Sequence, residues 1–220
     1  MSRIGYSWPV RRVDGARGSR ADQADQRRAE LLEATRRVVL ERGLANTRVA
    51  DIAKAVNVSG GLIHYHFATK DELITAMLRA TLEIESARLD QLVTGEGSAV
   101  ERLDRVLRFN IPQSRSDQSW LLWIDAWNTA LREPTVRQIV LELETIWLRA
   151  LEQVISEGAD TGEFACDDPA GAAERIDAML DGLIIRYTLH PNVLSRPRLL
   201  EHAHMAAARE VGISPDAFPR

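Results

Sequence analysis

Three groups of side chains in this 220-residue sequence have types and spacings that could do chemistry. His64 and His66 form an HxH pair, repeated by His202 and His204, the kind of pair that can ligate a metal. Asp177 and Asp181 stand at i and i+4, so on a helix both carboxylates fall on one face, where they could select a cation. Trp120, Trp123 and Trp127 stand at i, i+3 and i+7, which is again one helical face. They are three of only five tryptophans, gathered within eight residues. An aromatic wall of this kind suits a planar or cationic ligand. The same stripe is also what a packed core requires.

Much chemistry is excluded at once. Residues at i and i+2 of a helix point about 200° apart, and no cysteine or nearby carboxylate completes either histidine pair. Metal binding is therefore not expected. The single cysteine, Cys166, rules out an internal disulfide framework and a cysteine-cluster metal site. There is no nucleophile motif and no glycine-rich phosphate loop. Asp177 and Asp181 lack an acid or base partner and read as solvated or paired across a subunit contact, or else as one carboxylate facing a pocket. No enzyme and no cofactor are expected. No apolar run reaches the ~18 residues of a membrane span, and Met1–Pro9 carries no apolar signal core, so the default expectation is cytoplasmic.

The net charge of -4 is unevenly spread. Residues 1–70 hold 13 Lys+Arg against 7 Asp+Glu, whereas residues 71–220 hold 15 against 25. A basic N-terminal third on an acidic body suggests that one end meets a polyanion. Residues 1–22 add Arg3, Arg11, Arg12, Arg17 and Arg20 in a glycine-interrupted arm. That arm is either a solvated tail or a segment that follows DNA phosphates or enters a minor groove.

The elements that must position these residues are all helical. Apolar spacing predicts helix 1 over about 25–42, stopped by Gly43. Asn46-Thr47 offers a cap for a second helix built on Val49, Ile52, Ala53 and Val56. Ser59 caps a short third helix from Gly60 to Phe67, and Thr69 with Glu72 reads as a capping box for a long fourth. Ser98 with Glu101 opens helix 5, about 98–114. Helices 6 and 7 span about 116–131 and 134–157. Asp168-Pro169 opens helix 8, to about 189, and Ser195-Arg196-Pro197 opens helix 9, to about 211. The chain is expected to be all-α with about nine helices, divided into a basic arm (1–22), an N-terminal three-helix segment (23–73) and a helical bundle (74–220).

Helices 2 and 3, joined by a short turn, form a helix-turn-helix over about 48–67. Val58 fills the turn, and Ile63 and Phe67 anchor the second helix from below. Gly60, Gly61, Leu62, His64, Tyr65 and His66 are left on the groove side. The run from Thr47 through Ala53-Lys54-Ala55-Val56-Asn57-Val58-Ser59 and Tyr65-His66-Phe67 to Thr69-Lys70-Asp71-Glu72-Leu73 resembles the TetR family of transcriptional regulators. The resemblance is dense over about residues 26–73. Trp123-Ile124-Asp125-Ala126-Trp127 through Glu133-Pro134 resembles the C-terminal domain of its BetI-type branch, less densely.

The resemblance implies roles. Thr47 and Arg48 would reach phosphates or a base edge. Ser59 would cap helix 3 and leave backbone N–H groups for a phosphate. Gly60, Leu62, His64, Tyr65 and His66 would meet the major groove, and Lys70 would hold a phosphate. The family often has lysine or threonine where Gly60 stands and tyrosine where His64 stands. Gly60 thus removes a possible base-reading side chain, and His64 makes one contact partly pH-dependent.

In the C-terminal bundle, Phe109, Trp120, Trp123, Trp127 and Tyr187 are the expected ligand contacts. The last two helices are the expected two-fold interface, through Leu183, Ala203 and Ala206. The expected partners are an operator in double-stranded DNA, a small-molecule inducer and a second copy of the chain. The leading reading is a repressor released by a ligand. A ligand-independent activator or a nucleoid-type DNA binder is the alternative, and an all-α enzyme a remote one.

Overall fold

The computed structural model describes residues 20–219, with side chains from Asp22 onward. Most of the arm expected over residues 1–22 lies outside the described residues. Among the described residues there are nine α-helices, one short 3₁₀ helix and no strand. They are α1 (Arg20–Arg42), α2 (Val49–Ala55), α3 (Gly60–His66), α4 (Lys70–Thr94), α5 (Ala99–Asn110), α6 (Gln118–Ala130), α7 (Pro134–Asp160), α8 (Pro169–Leu189) and α9 (Arg196–Val211), followed by the turn Pro215–Ala217. None of these helices is long and apolar enough to cross a membrane.

Capping chemistry explains most of the boundaries. Ser98 accepts from the Glu101 N–H while Glu101 accepts from the Ser98 N–H, the reciprocal pair expected at the start of α5. Asp168 caps α8 ahead of Pro169, and Ser195 caps α9. At α4 the Thr69 hydroxyl accepts from Glu72 N–H at 3.0 Å, but Glu72 reaches back to Ala68 rather than to Thr69.

Four boundaries differ from expectation. α1 begins at Arg20, five residues early, because Asp22, Gln23 and Gln26 are compatible with an exposed helical end. α5 stops at Asn110, because Pro112 disfavours a helical Ile111. α6 starts only at Gln118, after a turn in which Asp117 accepts from the Gln113 N–H. α7 runs on to Asp160, where Gly162 at φ 76° ends it.

The described chain packs as two units. The first comprises residues up to Glu83 together with Gln118–Val140, so α6 and the start of α7 pack with α1, α2, α3 and the first turns of α4. Within it α1 packs on α2 and α6, and α2 on α3. Leu31, Leu32, Ile52, Ile63, Phe67, Leu73, Met77 and Leu78 are almost wholly buried there. The second comprises Ile84–Asp117 and the chain from Leu141 onward. In it α9 packs on α8 and α5, and Leu103, Leu107, Ile155, Ile176, Ile184, Leu199 and Ala203 are buried.

Candidate functional site

The helix-turn-helix is built by burial on one side. Ile52 and Ala53 of α2 and Ile63 of α3 point inward, and Phe67 follows α3 at 2% exposure with the Arg28 guanidinium 5.2 Å from its ring centroid. Asn57 takes the left-handed conformation, φ 53°, that lets the turn close with the Val58 N–H on the Ala53 carbonyl. Ser59 then caps α3 by accepting from Leu62 N–H.

What is left outward is a compact set. Tyr65 is 82% exposed, and Arg48, Ser59 and His64 are also exposed. Gly60, Leu62, His66 and Lys70 are half-buried. Tyr65 meets His66 edge to face at 5.2 Å between centroids. A Cβ added at Gly60 would meet nothing within 4 Å, so its missing side chain leaves open space beside α3.

Thr47 does not belong to this set. It is 1% exposed, and its hydroxyl donates to the Gly43 carbonyl at 2.8 Å. Nor does Asn46-Thr47 cap α2: the residue before α2 is Arg48, with no side-chain cap, and Asn46 donates back to the Arg42 carbonyl. The reason is local geometry. A threonine four residues after a helix-ending glycine can close the turn onto that glycine. Arg42 and Asp51 span the same turn at 3.3 Å.

A contact with no sequence signal also braces this turn. The Leu44 N–H donates to the Asp125 carboxylate of α6 at 2.6 Å, across 81 residues of sequence.

The five expected ligand contacts divide between the units. In the first, Trp120 and Trp127 meet edge to face at 5.7 Å; Trp120 and Trp123 are buried and Trp127 is half-buried. In the second, Phe109 stacks on Trp147 of α7 at 5.8 Å, a partner not among the expected ligand contacts. Tyr187 is buried, with the Arg115 guanidinium 4.5 Å from its ring centroid. One face of that ring is therefore already covered by a cation.

The second unit also gives Asp177 and Asp181 a definite environment. Both are half-buried on α8 rather than freely solvated. Burial, reinforced by Glu144 of α7, pushes Asp177 up to about 6. Burial, then Asp177 and Glu144, pushes Asp181 up to about 7. Glu144 stands one helical turn before Trp147, so the α7 face that stacks on Phe109 also carries a carboxylate.

Of the expected interface residues, Leu183 and Ala206 keep part of their surface, but Ala203 is 0% exposed. Ala203, Ala207 and Ala208 are used inside the chain, where small side chains let helices pack closely around α9. The outward face of α8 carries Ala178, Gly182 and Leu189, and a Cβ at Gly182 would meet nothing within 4 Å.

Residues 31–77 match the family model of bacterial regulatory proteins of the tetR family, and residues 99–212 match that of the C-terminal region of BetI-type transcriptional repressors. The regulator BetI of Burkholderia mallei (strain NCTC 10229) is 29% identical over 184 residues, which cover 81% of this chain and 90% of the relative. Among solved structures, a Saccharomonospora viridis protein assigned as a transcriptional regulator, in complex with choline, superposes with a TM-score of 0.76 at 26% identity, covering 82% of this chain and 95% of the other. FadR of Bacillus subtilis in complex with stearoyl-CoA shares the fold, with a TM-score of 0.64 at 20% identity over 84% of this chain and 98% of the other.

Proposed function

The chain belongs to the TetR family of transcriptional regulators, with a BetI-type C-terminal region, and from that premise we propose that it grips an operator as a homodimer and releases it when a small organic cation binds. The observation that carries the DNA half is the mounting of α3. Ile63 and Phe67 fix it from within, while Arg48, His64 and Tyr65 stand clear of the protein. A helix held so, with polar and aromatic side chains outward, can enter a major groove, and Arg48 and Lys70 supply charge for phosphates or a base edge. Ser59, Gly60, Leu62 and His66 complete the proposed contact.

The cation half rests on the second unit. Phe109 and Trp147 offer ring faces, and the half-buried Asp177 and Asp181, whose charging is opposed by burial and by nearby carboxylates, stand with the exposed Glu144. A quaternary ammonium would be attracted to both ring faces and carboxylates. The choline complex of the S. viridis protein supports the same ligand class. Trp120, Trp123 and Trp127, which belong to the other unit, enter this reading as fluorescent reporters rather than ligand contacts. Tyr187, already covered by Arg115, acts as a brace. The outward face of α8 around Gly182 is the proposed subunit contact, with Leu183 and Ala206 at its edge.

The test is selection of double-stranded fragments from a random DNA library on the purified protein, followed by footprinting with and without choline. One discrete two-fold footprint that fades with choline is the expected result. Uniform coating of every fragment would favour a nucleoid-type binder, and protection indifferent to choline would remove the cation.

A further inference from the structure

We infer that Asp125 of α6 is a positioning residue for DNA recognition: its carboxylate holds the turn from which the DNA-facing helices are hung. α1 ends at Arg42, and Gly43 turns the chain at φ 81°. The next N–H, that of Leu44, can no longer follow the helical ladder. Leu44 is 3% exposed, so that N–H would be buried unpaired without an acceptor. Asp125 supplies the acceptor at 2.6 Å, and a carboxylate acceptor makes a strong bond. Three residues on, Thr47 closes the turn onto Gly43 and Arg48 emerges into solvent at the start of α2. Arg48, α2 and α3 therefore take their orientation from a turn pinned by α6.

A second bond follows the same direction. Gln118, seven residues before Asp125 and on the same side of α6, accepts from Arg36 of α1 at 3.5 Å. Trp123 and Trp127 lie two residues either side of Asp125, which puts their ring face about 160° around the helix from the carboxylate. α6 thus has one aromatic face and one face bonded to the α1–α2 turn. A rotation or shift of α6 cannot leave the Leu44 bond unchanged.

The inference rests on the DNA-binding reading above, and the experiment separates the two. Wild type, Asp125→Ala and Asp125→Asn are compared for affinity to a fragment selected on the wild type and to a scrambled fragment of equal length, with thermal melting alongside. Asp125→Ala should lose at least tenfold in affinity for the selected fragment while binding the scrambled one no more weakly. Removing a negative charge by itself favours DNA, so this loss cannot come from charge. Asp125→Asn removes the same charge but keeps an acceptor oxygen, and should recover most of the selectivity. Amide exchange at Leu44 should be fast in the alanine variant and slow in the asparagine one. Equal selective affinity in wild type and Asp125→Ala, or equal losses in both variants, overturns the positioning role. Should Asp125→Ala fail to fold, Asp125→Asn decides alone: selectivity more than tenfold below wild type overturns the inference. If the wild type itself selects no fragment, the DNA-binding reading fails and this one fails with it.

Discussion

The imidazole of His204 lies flat on the ring of Phe218, with centroids 4.4 Å apart and planes within 5°, while its Nε2 meets the Asp104 carboxylate at 2.7 Å. Asp104, on α5, also takes the Arg108 guanidinium at 2.7 Å, and Arg108 donates onward to the Pro219 carbonyl. The chain beyond α9 is thus fastened to α5 through one buried carboxylate. Burial raises its pKa, but the bonds from His204 and Arg108 outweigh that and hold it below the usual carboxylate value. A lowered folded value means stability that is present above the unfolded pKa and lost as pH falls through the folded one. Asp104→Asn should cost roughly 1–3 kcal/mol at neutral pH. Urea titrations should show the gap to wild type narrowing as pH falls below the carboxylate range.

Asp177 and Asp181 should behave oppositely. Their folded values, about 6 and about 7, lie above the unfolded one, so the folded state holds the protons more tightly. Stability should then fall as pH rises from the unfolded carboxylate range to about 7. The double variant Asp177→Asn, Asp181→Asn should be more stable than wild type at pH 8, on the order of 1 kcal/mol after solvent screening, and no more stable near pH 4. A cation prefers the charged carboxylates, so choline affinity, read by tryptophan fluorescence, should rise across this window and be lost in the double variant.

Thr47 and Arg48 are neighbours with separable consequences. Thr47→Val removes the bond to the Gly43 carbonyl and should lower stability by about 1–2 kcal/mol in a melting curve. Arg48→Ala should leave melting unchanged and weaken binding to a selected fragment by on the order of 1–3 kcal/mol if it reads a base. Lys70→Ala should weaken all sequences alike and lower the salt slope by about 1. A change in sequence preference with the slope intact would reassign Lys70.

The two small residues of the C-terminal helices should also part company. Gly182→Arg places a long charged chain on the open face of α8, where nothing in the subunit lies within 4 Å. Sedimentation should show a dimer become a monomer with melting little changed below the dissociation point. Ala203→Leu instead overpacks a fully buried position and should cost roughly 1–3 kcal/mol whatever the oligomeric state. A Gly182→Arg protein that sediments as wild type would move the interface elsewhere.

The helices and the inward and outward faces of the helix-turn-helix were legible in the sequence because their determinants are local. Ser98 and Glu101, Asp168 and Pro169, and Ser195 before α9 act over three or four residues, and the apolar spacing of Ile52, Ile63 and Phe67 selects the inward face by itself. What depended on which helix lies beside which could not be read. Thr47 has a DNA-contact residue type yet turns inward, because a neighbouring backbone carbonyl captures its hydroxyl. Ala203 has an interface residue type yet lies under its own subunit's helices. Trp147 joins Phe109, Asp104 joins His204 and Asp125 finds Leu44 at sequence separations of 38, 100 and 81 residues. No periodicity encodes those pairs. A buried N–H or carboxylate needs a partner, but only the assembled fold brings one within reach, and so the bond that orients the DNA-binding helices was decided by tertiary structure alone.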